Sequence, residues 1–262
     1  MKIFDTHSHY DDEKFATLGR DELLSGLFSE NVVAIVGAGV DIPTSKNQIA
    51  LSEKYPNFFA AVGFHPSDIP TKSDIGESID TLEKLLKHPK CVAIGEIGLD
   101  YYWESNPPHD VQKTWLRAQL ELAEKTNYPV VIHDREAHGD VFDILCEYKN
   151  VTGIIHSCSM SAEMAGQLVR RGYYISFSGV VTYKNAEKVA QTLRAIPDER
   201  ILFETDCPYL SPVPMRGKTN HSGNIEYTIK KAAELRGCDP DALAEMAVEN
   251  ACRVFKIDKT KL

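Results

Sequence analysis

The chain has 262 residues, 43% of them apolar and 26% charged, and its 38 acidic against 29 basic side chains leave a formal net charge of −9. This suits one large α/β domain or two small ones, and it argues against a protein that coats nucleic acid through a broad basic surface. No leader-like segment or apolar run near the ~20 residues of a membrane span is present, and six cysteines without a C-x-x-C pair fit reduced thiols in a cytoplasm.

The first strand-like run, IFDTH (3–7), continues into Ser8-His9. In an extended strand residues i and i+2 share a face, so Asp5, His7 and His9 are expected on one side, where two imidazoles can hold one cation. VVAIVGAG (32–39) and FFAAVGFH (58–65) follow, the latter ending in His65. Ile79, Leu82 and Leu86 recur at helical spacing before CVAIGEIG (91–98), which is expected to end in Glu96. Leu116, Leu120 and Ala123 mark the next helix. PVVIHDR (129–135) then carries His133, TGIIHS (152–157) His156, YYISFSG (173–179) no ligand, and ILFETD (201–206) Asp206. After the Pro-rich loop PYLSPVPMRGKTN come helices, one starting at Asp239-Pro240 with Asp as N-cap and Pro in the first turn.

Nearly continuous apolar runs alternating with helices describe parallel strands covered on both faces. Eight such units in one domain over residues 1–262 predict a (β/α)8 TIM barrel with additional C-terminal helices. An open doubly wound sheet uses the same alternation, but the strand count favours the barrel, and no G-x-G-x-x-G follows the first strand. In a barrel the strands' C-terminal ends build the active site, and these ends carry the histidines, Glu96 and Asp206. So many imidazoles with two carboxylates exceed one ordinary zinc site. They suit two divalent cations about 3.5–4 Å apart that activate water against a phosphate or acyl bond. Mg, Mn and Zn are not distinguished by this mixed donor set.

The motifs D-T-H-S-H, G-F-H-P, G-E-I-G-L-D, P-V-V-I-H-D-R-E-A, E-T-D-C-P-Y-L, R-G-K-T-N and N-A-C-R-V-F resemble, in order and from residue 3 to 255, the TatD family of metal-dependent deoxyribonucleases. The resemblance implies that His7, His9 and Asp206 hold one metal, His133 and His156 the other, and that Glu96 bridges them. It places His65 beside the substrate phosphate. Arg135, two residues after His133, should point into the cavity, and Glu204, two before Asp206, should lie beneath the metals to orient a ligand or assist proton transfer. Arg216 and Lys218 would clamp phosphate oxygens. Two stretches depart from the family pattern. Ser157-Cys158-Ser159-Met160 stands where C-F-S-G is usual, and Pro214-Met215-Arg216-Gly217-Lys218-Thr219-Asn220-His221-Ser222 stands where P-H-R-G-K-R-N-E-P is usual. Tyr101, Tyr102 and Trp103 could stack on bases or pack a loop, and Asn250, Arg253 and Cys207 read as packing residues.

The expected activity is hydrolysis of DNA phosphodiesters, with Asp206 accepting the nucleophile's proton. The DNA partner is expected to be single-stranded or a strand end, with no membrane or obligate protein partner. The alternatives are hydrolysis of a small ester, amide, lactone or aminoacyl ester on RNA and, in another class, a metal-containing binding protein without turnover.

Overall fold

The structure is a computed structural model that describes residues 1–70 and 74–262. Its strands are β1 (Ile3–Ser8), β2 (Val32–Ala38), β3 (Phe58–Val62), β4 (Cys91–Asp100), β5 (Val130–Arg135), β6 (Gly153–Ile155), β7 (Tyr174–Phe177) and β8 (Ile201–Phe203). All pair in parallel, in the order β1 to β8, and a bridge between Ser8 and Cys207 closes the ring. The fold is the expected TIM barrel. Between the strands lie α1 (Glu13–Leu18), α2 (Arg20–Glu30), α3 (Ile42–Lys54), α4 (Ile75–Leu85), α5 (His109–Thr126), α6 (His138–Glu147), α7 (Ala162–Arg170) and α8 (Glu187–Ala195), and α9 (Ile225–Arg236) and α10 (Pro240–Phe255) follow β8. Among the described residues no helix is long and apolar enough to cross a membrane.

The larger apolar cluster fills the layer between sheet and helices, with Ile35, Ile94, Ile132 and Ile175 turned outward against Leu120, Leu145 and Leu168. A second cluster gathers the alternate residues Phe4, Val36, Ala93, Val131, Ile154 and Leu202, and α10 joins it through Ala251 and Phe255. Phe255 stacks on Phe4 with ring centroids 6.0 Å apart, so α10 closes the end of the barrel where the strands begin. Asp239 caps this helix as expected, accepting from the Ala242 N–H at 2.9 Å. Asn250 donates to the carbonyls of Asp198 and Ile201 and accepts from Arg253, so both motif residues serve packing.

Two irregularities shape the opposite end. On β1, Asp5 pairs with Ile35 and Ser8 with Gly37, three steps against two, and on β4 Ile94 pairs with Val130 and Ile97 with Ile132. One extra residue in each strand reverses the alternation beyond it. Glu96 therefore sits inside β4 rather than at its end, and the strand runs on to Asp100. The same slip overturns the expectation that Asp5 shares a face with His7 and His9. Asp5 turns outward, fully buried, and accepts from the N–H and hydroxyl of Thr205 (3.0 and 2.6 Å) and from Ser222 Oγ (2.8 Å). Gly98 lets β4 lie against β5, because a Cβ there would stand 1.9 Å from the His133 carbonyl oxygen.

Candidate metal centre

Six side chains meet at the rim. His7 and His9 come from the end of β1, Glu96 from β4, and His133 from β5. His156 and Asp206 lie just past β6 and β8. The tails of β8 and β1 are laced together, Asp206 N–H donating to the His7 carbonyl (3.0 Å) and His9 N–H to the Cys207 carbonyl (2.8 Å). Asp206 has φ +56°, a left-handed conformation that Asp tolerates better than most residues, and it swings the carboxylate toward the histidines.

Glu96 is the hub. Its Oε2 lies 3.2 Å from His7 Nε2 and 3.5 Å from His9 Nε2, while its Oε1 lies 2.8 Å from His133 Nδ1 and 3.3 Å from His156 Nε2. Asp206 Oδ1 approaches His9 Nε2 at 3.3 Å and His7 Nε2 at 3.6 Å. Each oxygen of one buried carboxylate thus faces a different pair of imidazoles.

The far nitrogens decide which lone pairs point inward. A carbonyl only accepts, so His9 Nδ1 donates to the Ala38 carbonyl at 3.0 Å and Nε2 is left free. His156 Nδ1 donates to Glu204 Oε1 at 2.7 Å, which frees Nε2 toward Glu96. His133 Nε2 faces Asp100 Oδ2 at 3.2 Å, leaving Nδ1 for the centre. His7 Nδ1 is buried with no partner among the described residues. His65 stands beside the centre: its Nδ1 faces the Ser67 N–H at 3.2 Å and Asp68 Oδ2 at 3.4 Å, and its Nε2 lies 3.7 Å from Glu96 Oε1.

The charges call for a cation. Burial works against charge on Glu96, yet the imidazoles of His7, His156 and His65 hold its carboxyl well below the usual range. Burial likewise opposes protonation of His9 and His156. Asp206 and Glu96 outweigh it and lift His9 to about 9, and Glu204 and Glu96 lift His156 to about 10. Burial keeps His7 and His65 low, helped by His156 and His133 respectively. Protons on imidazoles are supplying positive charge that divalent cations would supply in their place. The donor set therefore fits metal, and the side chains form several groups of three or more ligand atoms lying within 4.8 Å of one another.

The centre opens into a cavity of about 670 Å³ that Arg135 and Trp103 also line. Arg135 lies over the rings of Tyr102 (4.0 Å) and Trp103 (5.3 Å). Glu204, fully buried, also accepts from the Ser157 N–H at 2.8 Å, and its Oε2 has no partner among the described residues. Arg216 and Lys218 are not brought to the metal residues; they line an adjoining pocket with Lys14. Met160, the residue in place of the family's glycine, is fully buried in the core, so this departure bears on packing. Asp100 was missed by sequence reasoning. Its signal is its place in G-E-I-G-L-D, two residues after Gly98 and therefore on the inward face.

The family profile described as TatD related DNase matches residues 4–256. An uncharacterized metal-dependent hydrolase of Bacillus subtilis, YabD, is 40% identical over 258 residues, covering 98% of this chain and all of that one. Its counterpart YcfH of Escherichia coli is 32% identical, covering 100% of this chain and 98% of that one. The crystal structure of YjjV, a TatD homolog from Escherichia coli, superposes with a TM-score of 0.90 at 28% identity over 98% of both chains.

Proposed function

Because the chain belongs to the TatD-related DNase family of metal-dependent hydrolases, we propose that it hydrolyses phosphodiester bonds in DNA at a binuclear divalent-cation centre. The observation that carries the binuclear reading is Glu96, whose two oxygens face separate histidine pairs. His7, His9 and Asp206 would hold one cation, His133 and His156 the other, and Glu96 both. When bound, such cations neutralise phosphate oxygens and bring water within reach of deprotonation near neutral pH.

The protein's own groups do the rest. Asp206 accepts the proton of the attacking water at a carboxylate oxygen. His65 turns Nε2 toward the centre, where it meets a phosphate oxygen of the substrate. Glu204 and Asp100 hold His156 and His133 in the tautomers that present a lone pair inward. Arg135 meets the substrate at the rim, where its guanidinium pairs with a phosphate oxygen. The cavity matches a nucleotide-sized portion of a strand, which favours a single strand or a strand end.

A second reading, a small ester or lactone, draws support from one observation: Arg216 and Lys218 lie outside the cavity, and a small substrate has no need of them. The test is to strip the protein with chelator, restore Mg, Mn or Zn singly, and assay single-stranded and duplex oligonucleotides beside small esters. Metal-restored cleavage of single strands is expected. Ester hydrolysis without DNA cleavage under every metal would overturn the nuclease reading and leave the hydrolase standing.

A further inference from the structure

Beside the metal cavity, and sharing Tyr209 and Leu210 with it, lies a second pocket of about 510 Å³. Its cations are Lys14 from α1 and Arg216 and Lys218 from the loop after β8, and among the described residues no carboxylate lines it. In a chain with nine more acids than bases, three cations around one hollow are contrary to the general balance, and the acid beside it, Asp12, accepts from Tyr209 Oη at 3.2 Å. Two of the three rest on aromatic faces: Lys14 Nζ stands 4.7 Å from the Tyr209 ring centre and Arg216 Cζ 4.0 Å from that of Tyr183. A cation held on a ring keeps its hydrogen-bond donors directed outward for an anion. Across the rim, three strands from β8 in the barrel order, Arg135 lies in the same manner on Tyr102 and Trp103. The carboxylate-rich metal centre lies between these two cation-on-aromatic clusters.

We propose that the pocket of Lys14, Arg216 and Lys218 is a distal phosphate subsite, which binds a phosphate of the substrate strand beyond the one being hydrolysed. The inference rests on the nuclease reading above and names its substrate class: a strand of at least three nucleotides. The cations of the subsite recognise charge beside the scissile linkage and leave chemistry to the metal centre, and Tyr183 and Tyr209 present apolar walls to the intervening sugar or base. Selectivity for polymers over mononucleotide diesters follows from this division. Lys14 has no place in the family motifs read from the sequence; only the fold brings it beside the R-G-K loop.

The test compares dithymidine monophosphate, which has one linkage, with tetrathymidylate and with tetrathymidylates carrying an uncharged methylphosphonate at one outer linkage. For the metal-restored protein, kcat/KM is expected to favour the tetramer by about tenfold or more, the scale of one charge-assisted phosphate contact. Lys14→Ala and Lys218→Ala should each remove most of that advantage, and Lys218→Arg should retain it. Methylphosphonate on one side should copy the loss in the unaltered protein and add nothing in the Ala variants. Equal loss on both substrates, no loss on either, or additive losses would overturn the subsite. Should no phosphodiester be cleaved under any metal, the nuclease reading fails by itself, and binding of fluorescein-labelled tetrathymidylate to the chelated protein decides the subsite. Weakening by about tenfold in Lys14→Ala/Lys218→Ala, with a shallower salt dependence, supports it, and unchanged affinity overturns it.

Discussion

The two halves of the proposed metal centre are built differently. Behind His133 and His156 stand carboxylates, Asp100 and Glu204, each hydrogen-bonded to the outer nitrogen of its ring. Behind His9 stands only the Ala38 carbonyl, and behind His7 no polar partner among the described residues. A carboxylate behind an imidazole fixes the ring and raises its basicity; a backbone carbonyl fixes the ring more weakly. The first half is therefore organised by side chains, whereas the second is organised by the backbone, through the irregularity in β1 and the lacing of β1 to β8. The His133–His156 half should bind a cation more tightly.

Glu96→Gln should erase the contrast, since Glu96 belongs to both halves. Loss of both cations and of turnover is expected, and metal analysis after dialysis would show it; one retained equivalent would contradict a bridging role. Glu204→Gln and Asp100→Asn should act on one half alone, weakening one equivalent by about 10–100-fold while the other persists, as followed by calorimetric titration. Uniform weakening of both equivalents would remove the distinction.

The pH dependence sharpens the same comparison in the metal-free protein. His156, pushed up to about 10, and His9, pushed up to about 9, bind protons more tightly in the folded state than at their ordinary 6.5. Their stabilising contribution is complete below pH 6.5 and is lost as pH rises toward 9–10. The denaturation midpoint without metal should fall across that window. Metal affinity should rise across it, because cations displace those protons. A midpoint independent of pH in this range would contradict the assignment.

The smallest effect concerns the backbone-organised half. Ser222→Ala removes one donor to the buried Asp5 and should cost about 1–2 kcal/mol, a fall of roughly 2–8 °C in Tm for a chain of this size. It should weaken the His7–His9 half more than the other.

The strands and the ligands were legible in the sequence because apolar runs and motif residues occupy regular places along the chain. The irregularities were not. Nothing in IFDTHSH marks the extra residue that turns Asp5 away from His7, and nothing in GEIGLD shows that the strand runs on to Asp100. Asp100 was hidden inside a motif, because its role depends on β5 lying alongside. The separation of Arg216 and Lys218 from the cavity is set by a loop without periodicity, whose course is fixed by contacts such as Asn220 donating to the carbonyls of Thr205 and Tyr209. Ser222 shows what a departure from a family pattern can do. Its N–H donates to Tyr10 Oη and its hydroxyl to Asp5, and the proline usual in the family has neither group.

The closure of the barrel also has a kinetic side. His7 and Asp206 stand at opposite ends of the sheet's connectivity, and the Asp5–Thr205 hydrogen bonds that join those ends span 200 residues of chain. Contacts of such sequence separation form late, after the entropy of closing the long intervening loop has been met. A ribosome-bound chain that has released only the first seven strands holds His7, His9, Glu96, His133 and His156 but lacks the last carboxylate and the clasp beneath it. In the proposed centre, capture of a cation shared by the first and last strands would belong to the final step of folding, and that cation would fasten the two ends of the barrel.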